Sequence, residues 1–179
     1  MTWSILPLPT NGPLFEGAIA VYRAAFSRPP YNDKGRAKEV RDRIRDLHAV
    51  RPGYRSFAAV NGAGEVIGMI YGYRGEAGQW WRDSVRAAIA ADSAERWLAD
   101  SFELVEVAVA PAYQSLGIGR VLVSRLLEGL SEATCVLSTR TDSRAHELYR
   151  RLGFEVIAQM RFVTGGLPFY VMGKRLKPG

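Results

Sequence analysis

Two glycines, Gly117 and Gly119, lie where an apolar, strand-like stretch is followed by a helical pattern. Glycine has no side chain, so the backbone at these positions can pass close to a bound group. The first amides of a helix have no hydrogen-bond partner within it and lie at the positive end of its dipole. Because such amides bind phosphate groups, the loop 114–119 predicts an anion site formed by backbone N–H groups.

Two familiar phosphate-binding motifs do not match this loop. A Rossmann fingerprint requires a third glycine at position 122, which is Leu122 here. A P-loop requires Gly-Lys-Ser/Thr, whereas Gly119 is followed by Arg120 and Val121. A Gly-x-Gly sequence at a helix start is also ordinary turn chemistry, so the class of ligand depends on the elements around the loop.

The periodicity of the apolar residues predicts those elements. Helical spacing predicts a helix that begins near residue 14 and further helices over about residues 34–50, 83–98, 119–131 and 143–152. Apolar runs predict strands at about residues 4–8, 56–60, 65–73, 102–109, 134–139, 154–159 and 169–173. In the second helix, Val40, Ile44 and Leu47 form the apolar stripe, and Asp142 is the expected N-cap of the last helix.

The order of these elements predicts the fold class. A strand, a helix and a strand over 102–139 imply a parallel strand pair with a right-handed crossover, and the short linker at 61–64 implies an antiparallel hairpin. We therefore predict an α/β (α+β) fold in a single domain, residues 1–179. Its mixed, mostly antiparallel central sheet contains one parallel strand pair and is flanked by helices on both faces. Residues 75–101 are predicted to form a helical insertion.

Composition argues against several classes of protein. The single cysteine, Cys135, cannot form an internal disulfide, and no stretch is apolar enough to span a bilayer, so we expect a cytoplasmic location and no membrane partner. His48 and His146 lack ligand-type spacing, so we expect both on the surface and no metal. The net charge is +6, but the basic residues between positions 36 and 51 alternate with acidic ones, which is typical of a solvated helix face and not of a nucleic-acid site.

The sequence around the loop resembles that of the GNAT (Gcn5-related N-acetyltransferase) family. Gln114-x-x-Gly117-x-Gly119 resembles the family signature Gln/Arg-x-x-Gly-x-Gly/Ala, after a Val-x-Val-x-Pro strand end. The segment 142–154, Asp-Ser-Arg-Ala-His-Glu-Leu-Tyr-Arg-Arg-Leu-Gly-Phe, is similar to the family's Asn-x-x-Ala-x-x-Leu-Tyr-x-x-x-Gly-Phe. The resemblance is specific over 102–154, general over 1–73 and absent over 75–101.

The resemblance implies that acetyl-coenzyme A is the co-substrate. In such enzymes the pantetheine arm pairs with the backbone of the strand before the loop, and the loop amides bind the pyrophosphate. The coenzyme-binding residues that it implies are Val107, Ala108, Val109, Gln114, Leu116, Gly117, Ile118, Gly119, Arg120 and Asp142. Asp142 departs from the family's asparagine, because an aspartate accepts hydrogen bonds but cannot donate them.

The reaction implied is N-acetyl transfer to a primary amine by direct attack in a ternary complex. Such an amine is neutral in only about one molecule per thousand at neutral pH, so a carboxylate would remove its proton. Glu103 occupies the position of the base in several family members. Glu106 is the rival, out of phase on the strand, and either residue could instead be salt-bridged. Tyr149 is implied as the acid that protonates the leaving thiolate, or it is a core tyrosine.

The acceptor in this family usually binds beside the first two helices and the hairpin. The residues expected to bind it are Phe26, Tyr31, Tyr73, Trp80, Trp81 and Tyr170. The expected partner is a small-molecule or peptide amine, and a homodimer is consistent with the family. The alternative function is a non-catalytic acyl-coenzyme A-binding regulatory module; nucleic-acid binding is suggested only by the basic pI.

Overall fold

A computed structural model of the protein describes residues 2–176. Its strands are β1 (Trp3–Pro7), β2 (Arg55–Asn61), β3 (Val66–Arg74), β4 (Ser101–Val109), β5 (Thr134–Arg140), β6 (Glu155–Met160) and β7 (Phe169–Arg175). Its α-helices are α1 (Gly12–Phe26), α2 (Arg36–Arg43), α3 (Trp80–Ala88), α4 (Ala91–Leu98), α5 (Ile118–Leu127) and α6 (Ala145–Arg151). A π-helical turn, Ile44–His48, continues α2, and a 3₁₀ turn, Pro111–Tyr113, precedes α5.

Hydrogen bonds join the strands in the order β1-β2-β3-β4-β5-β7-β6. Strands β4 and β5 run parallel, in a register that begins at Ser101↔Thr134 and ends at Glu103↔Val136. The pairs β1–β2, β2–β3, β5–β7 and β6–β7 are antiparallel. The predicted α/β (α+β) class, with a mixed, mostly antiparallel sheet and one parallel strand pair, is therefore confirmed.

The chain divides into two compact units, of which the first holds the described residues up to Tyr73 together with Val105–Glu128. In this unit α1 packs against β2 and β3 through residues three and four positions apart, namely Phe15, Ala18, Ile19, Tyr22 and Phe26. These side chains meet the face of β3 that carries Met69. The neighbouring Gly68 belongs to the opposite face, where the side chain of Leu122 in α5 lies 3.0 Å from the position of an added Cβ. Helices thus cover both faces of this hairpin.

The second unit holds Arg74–Leu104 and the described residues from Gly129 onward. Its core joins α3 and α4 to β5 and β7 and contains Val85, Ala94, Trp97, Leu98, Val136 and Val171. Gly173 of β7 lies against the ring of Trp97, where an added Cβ would come within 2.5 Å of a ring carbon. That distance is far below ordinary van der Waals contact, so the packing requires a hydrogen atom at this position.

The π turn after α2 corrects two sequence predictions. Leu47, expected in the apolar stripe, is 48% exposed, and His48, expected on the surface, is 5% exposed. Within the turn, Ala49 N donates to Ile44 O at 2.9 Å, five residues back, so the helix is wider here than an α-helix. The next inward position after Ile44 therefore falls on His48 and not on Leu47.

The helix predicted over residues 83–98 is two helices. Ile89 and Ala90 take extended backbone conformations between α3 and α4, with ψ of 161° and 147°. Cys135, predicted in a strand, is buried in β5. The single-domain assignment and the insertion at 75–101 stay predictions.

Candidate active site

The loop before α5 has the geometry of a backbone anion site. Gly117 occupies the N-cap position in the left-handed conformation, with φ +83°, which favours glycine. The first helical hydrogen bond runs from Val121 N to Gly117 O at 3.2 Å. The amides of Ile118, Gly119 and Arg120 therefore precede Val121 N, the first intrahelical donor. A Cβ added at Gly117 would meet no atom within 4 Å, so the space beside it is open to a ligand.

The end of β4 leads directly into this loop. Gln114 Nε2 donates to Val109 O at 3.0 Å, which ties the loop to the last residue of the strand. Val107 and Val109 are half-buried. Both lie beyond Glu103↔Val136, the last residue pair of the parallel register between β4 and β5. Their position and exposure are those expected of backbone that a ligand could contact.

The other residues expected to bind coenzyme differ in what they present. Leu116 is 54% exposed, and Arg120 is also exposed. Ala108 and Ile118 are 4% and 1% exposed, so their contribution to a ligand would come from the backbone. Of these four residues only Arg120 carries a charged side chain.

Asp142 corrects a prediction about helix capping. Helix α6 begins at Ala145 with Arg144 at its N-cap position, and Ser143 Oγ accepts from Ala145 N at 3.2 Å. Both oxygens of Asp142 instead accept from Arg140, from Nε at 2.9 Å and from Nη2 at 2.7 Å. These hydrogen bonds lower the pKa of Asp142. The cap prediction was wrong because the guanidinium two residues earlier competes for the carboxylate.

Glu106 of β4 is buried and faces α1 and α2. Arg36 Nη2 donates to its Oε1 at 3.2 Å, and Arg43 Nη2 lies 3.9 Å from the same oxygen. Arg36 Nε also donates to Tyr22 Oη at 2.5 Å. Burial and, next, the Glu106 carboxylate raise the pKa of Tyr22, which keeps that phenol protonated at neutral pH.

A second group of side chains continues from Glu106 towards the end of the π turn. His48 Nδ1 lies 3.0 Å from Tyr71 Oη, and the His48 ring meets Tyr73 edge-on with centroids 5.0 Å apart. The guanidinium of Arg51 lies over the ring of Tyr73 at 4.5 Å. Burial first, and then the charges of Arg51 and Arg43, lower the pKa of His48 to about 4. His48 is therefore neutral at pH 7.

We call these side chains together the arginine–tyrosine cluster. Contacts join Tyr22, Arg36, Arg43 and Glu106 in one group and His48, Arg51, Tyr71 and Tyr73 in another. The two groups are linked by electrostatics, because the charges of Arg43 and Arg51 both act on His48. The basic stretch 36–51 was expected to be a solvated face, and this is correct for Arg41 and Arg45, which pair with exposed carboxylates. Arg36 and Arg43 differ in their ionic partner, which is the buried Glu106, although the Arg43 side chain is itself 44% exposed. Their spacing in the sequence was the available signal, because Arg36 and Arg43 lie on the same helix face as the buried Val40.

Glu103, expected to be the catalytic base, belongs to the second unit. It is 4% exposed, and its register partner is Val136 of β5. Burial chiefly raises the pKa of the neighbouring Cys135 thiol, and the Glu103 charge adds to that increase. Glu103 and Glu106 are an odd number of positions apart on β4, so their side chains leave opposite faces of the strand.

Tyr149, expected to be the acid, is 5% exposed and lies in the last turn of α6. Its ring meets that of Phe154 edge-on, with centroids 5.7 Å apart. Its carbonyl oxygen accepts from Leu152 N and Phe154 N, both at 3.0 Å. The side chain is thus held in a fixed position by the end of the helix.

The six residues expected to bind acceptor fall into separate groups. In the first unit, Phe26 packs against Tyr31 with ring centroids 4.5 Å apart, and Tyr73 belongs to the arginine–tyrosine cluster. In the second unit, the two tryptophans point to different partners. Trp80 is 64% exposed with its ring 5.4 Å from that of Phe162, and Trp81 Nε1 donates to Ser138 Oγ at 2.9 Å.

Tyr170, the remaining residue of this group, lies beside α6. Its ring meets His146 edge-on at 5.4 Å, and the guanidinium of Arg150 lies 5.9 Å from the ring centre. His146 is half-buried and not fully on the surface as expected. Within residues 2–176, no group of three or more His, Cys, Asp or Glu side chains is arranged to hold a metal ion. No helix in that range is long and apolar enough to cross a membrane.

Comparison with known sequences gives a family match and a curated relative. The sequence model of the family described as "Acetyltransferase (GNAT) domain" matches residues 52–156. The GCN5-like protein acetyltransferase Rv2170 of Mycobacterium tuberculosis is 36% identical over 121 residues, which are 62% of this chain and 59% of that protein. The chain therefore spans less than two thirds of the length of this relative.

Solved structures of low sequence identity share the fold. One contains a histone acetyltransferase HPA2 and related acetyltransferase from Corynebacterium glutamicum, with a TM-score of 0.68, 20% identity and coverage of 100% of this chain and 99% of that chain. Another is an aminoglycoside 6'-N-acetyltransferase complexed with coenzyme A, with a TM-score of 0.66, 16% identity and coverage of 98% of both chains.

Proposed function

Because the chain belongs to the GNAT acetyltransferase family, whose general reaction is acetyl transfer to an amine, we propose that it is an N-acetyltransferase. It transfers the acetyl group of acetyl-coenzyme A to a primary amine by direct attack in a ternary complex. The observation that carries the proposal is the left-handed Gly117 at the start of α5, inside the segment that the family model matches.

The donor is held mainly by the backbone in this proposal. We call residues 114–120 the coenzyme loop. The pyrophosphate lies against the amides of residues 116–120 in this loop. The pantetheine arm pairs with the backbone of Val107 and Val109, beyond the last residue pair of β4 with β5. Arg120 adds a positive charge at the helix start. These residues supply donors and charge where the anionic part of the coenzyme requires them.

The chemical step needs proton transfers at the nitrogen and at the sulfur. Glu103 accepts the proton of the attacking ammonium, so that the neutral nitrogen forms a bond to the acetyl carbon. The carbon–sulfur bond breaks, and Tyr149 donates its phenolic proton to the departing thiolate. The nitrogen loses its second proton as the amide forms, and this proton replaces the one that Tyr149 has given up. Glu106 is the less suitable base, because its Oε1 already accepts from Arg36 and lies near Arg43. The bound coenzyme supplies the activated acetyl thioester, and the protein supplies orientation and proton transfer.

The acceptor is a small-molecule or peptide amine in this proposal. The curated relative is described as a protein acetyltransferase, and one solved structure as an aminoglycoside acetyltransferase, which illustrates the breadth of amines in the family. A homodimer and a cytoplasmic location stay predictions.

Two measurements test the proposal. Calorimetry with acetyl-coenzyme A should show binding, and thiol release should then depend on an added amine. In Tyr149→Phe, kcat should fall by about 100-fold or more with the coenzyme Kd unchanged, which is the usual size of a general-acid contribution. Tyr113→Phe is the control, since Tyr113 Oη accepts from Asn61 Nδ2 at 3.2 Å and is assigned no role in the reaction. Binding without thiol release on a broad amine panel would instead indicate the non-catalytic coenzyme-binding module.

A further inference from the structure

The arginine–tyrosine cluster holds more positive than negative charge. Its guanidinium groups are those of Arg36, Arg43 and Arg51, and its carboxylate is that of Glu106. His48 adds no charge at pH 7, because its pKa is lowered to about 4. Three cations against one anion leave an excess of two positive charges.

Four nearby carboxylates do not neutralise this excess, because they pair elsewhere. Glu16 accepts from Arg41 at 2.6 Å. Asp42 and Asp46 accept from Arg45 at 3.3 Å and 3.0 Å. Asp33 Oδ1 accepts from the backbone amides at the start of α2. Glu106 is thus left to pair with both Arg36 and Arg43.

Two of the three guanidinium groups have free hydrogen-bonding capacity that reaches solvent. The side chain of Arg43 is 44% exposed and lies 3.9 Å from Glu106, beyond ordinary hydrogen-bond length. Arg51 is half-buried and contacts the face of Tyr73. In the described part of the chain it forms no ion pair with a carboxylate. Arg36, in contrast, is committed to Tyr22 and Glu106.

We propose that the acceptor amine also carries a carboxylate, which Arg43 and Arg51 bind. This inference rests on the proposed acetyltransferase function, and it names the substrate class of that site. A guanidinium fork matches the two oxygens of a carboxylate. Arg43 lies 3.9 Å from Glu106, the residue before Val107 in β4, so it is close to the strand whose backbone is assigned to the donor.

The same charges act against a polycationic acceptor. A polyamine would bring two or more ammonium groups to a region with two uncompensated positive charges, and like charges repel at short range. The acceptor class is therefore an amino carboxylate and not an oligoamine.

A matched set of acceptors tests this specificity. We would compare 4-(aminomethyl)benzoate, 4-(aminomethyl)benzamide, the corresponding phosphonate and 1,4-bis(aminomethyl)benzene, which present the same benzylic amine. The carboxylate should have a kcat/KM about 10-fold or more above the amide, in line with the strength of a hydrogen bond to a charged group. The diamine should be the poorest of the four. Equal rates for acid and amide, or a preference for the diamine or the phosphonate, would overturn the proposal.

Variants of the two arginines identify the site responsible. Arg43→Met and Arg51→Met should each reduce the ratio of acid to amide by about 10-fold, with thermal unfolding used to confirm that each variant is folded. Arg45→Met is the matched control, because Arg45 lies in the same helical segment and its side chain is also 44% exposed. An unchanged ratio in both arginine variants would refute the assignment, as would an equal fall in the control.

A binding experiment separates this inference from the proposed function. The protein loaded with coenzyme A would be titrated with 4-methylbenzoate and 4-methylbenzamide, which have no amine and cannot be acetylated. Tighter binding of the carboxylate, lost in Arg43→Met, supports the anion site even if no amine is turned over. Turnover of amides without any carboxylate preference supports the acetyltransferase and rejects the anion site.

Discussion

The coenzyme loop and the arginine–tyrosine cluster lie in the same compact unit, yet they are built in different ways. The loop is largely exposed, and its main feature is the backbone conformation of Gly117. The cluster consists of side chains, several of them buried, joined by ion pairs and hydrogen bonds. A donor shared by a whole family can be recognised by backbone amides, which every residue has. An acceptor that differs between members must be recognised by side chains.

The difference has a practical consequence. Loop variants should act through conformation, and cluster variants should act through charge. Substitutions at the two glutamates of β4 should have different effects from each other, because Glu103 is assigned to catalysis and Glu106 to the cluster. The following predictions test these distinctions.

The largest effect is expected at Glu103. Glu103→Gln should lower kcat by about 100- to 10,000-fold, because the amide cannot accept the proton of the amine. The coenzyme Kd should stay within about twofold of wild type. Glu106→Gln should instead cost about 2 kcal/mol of unfolding free energy, because Arg36 and Arg43 lose their ion partner. Steady-state kinetics and urea unfolding distinguish the two, and a larger kcat loss in Glu106→Gln would reverse the assignment.

Acid should weaken the cluster through His48. The folded protein holds this pKa at about 4, below the usual 6.5, so the unfolded chain takes up the proton first as pH falls. The contribution of neutral His48 is complete above pH 6.5 and is lost as pH falls towards 4, by about 3 kcal/mol in total.

Urea unfolding at several pH values measures this loss. In the His48→Gln variant the glutamine side chain can still form a hydrogen bond with Tyr71, and it has no titratable group. The stability of this variant should therefore fall less than that of wild type between pH 6.5 and 4. Because all other side chains are the same in both proteins, the difference between the two curves isolates His48. Parallel curves would contradict the prediction.

A smaller effect is expected in the loop. Gly117→Val should weaken coenzyme binding by about 10-fold or more, because a side chain at φ +83° strains the turn that orients the amides. Gly129→Val is the matched control, with φ +70° and no atom within 4 Å of an added Cβ. Both variants should lose about 1–2 kcal/mol of stability. Equal losses of coenzyme affinity in both would indicate that strain alone is responsible.

The smallest effect is expected at Asp142. Asp142→Asn restores the family's usual residue but removes the paired hydrogen bonds with Arg140. Because Asp142 is exposed, we expect the coenzyme Kd to change by less than about twofold. A tenfold gain in affinity, measured by calorimetry, would show that position 142 contacts the coenzyme after all.

The fold and the loop could be predicted because their determinants are local. Apolar periodicity located every strand to within a few residues, and the strand–helix–strand order from β4 to β5 implied the parallel pair. The coenzyme loop depends on the spacing of Gln114, Gly117 and Gly119 within one short segment. A sequence pattern can express such a requirement completely.

The cluster could not be predicted in the same way, because its members come from distant parts of the chain. Arg36 and Glu106 are 70 positions apart, and nothing in either local sequence indicates their pairing. The burial of His48 depends on a π turn, which shifts the inward position by one residue from Leu47. Charged residues that alternate in sign were interpreted as solvated, and only the tertiary structure distinguishes Arg43 from Arg45.

Gly173 has a consequence for how this sequence can diverge. Even an alanine methyl group there would collide with the indole of Trp97, and a strand glycine is otherwise an unfavourable choice. A saturation-mutagenesis library should therefore tolerate almost no replacement at position 173, although no reactant is assigned to it. Intolerance of substitution at position 173 would report on folding alone. A map of intolerant positions would therefore overstate the extent of the active site unless protein abundance were measured alongside activity.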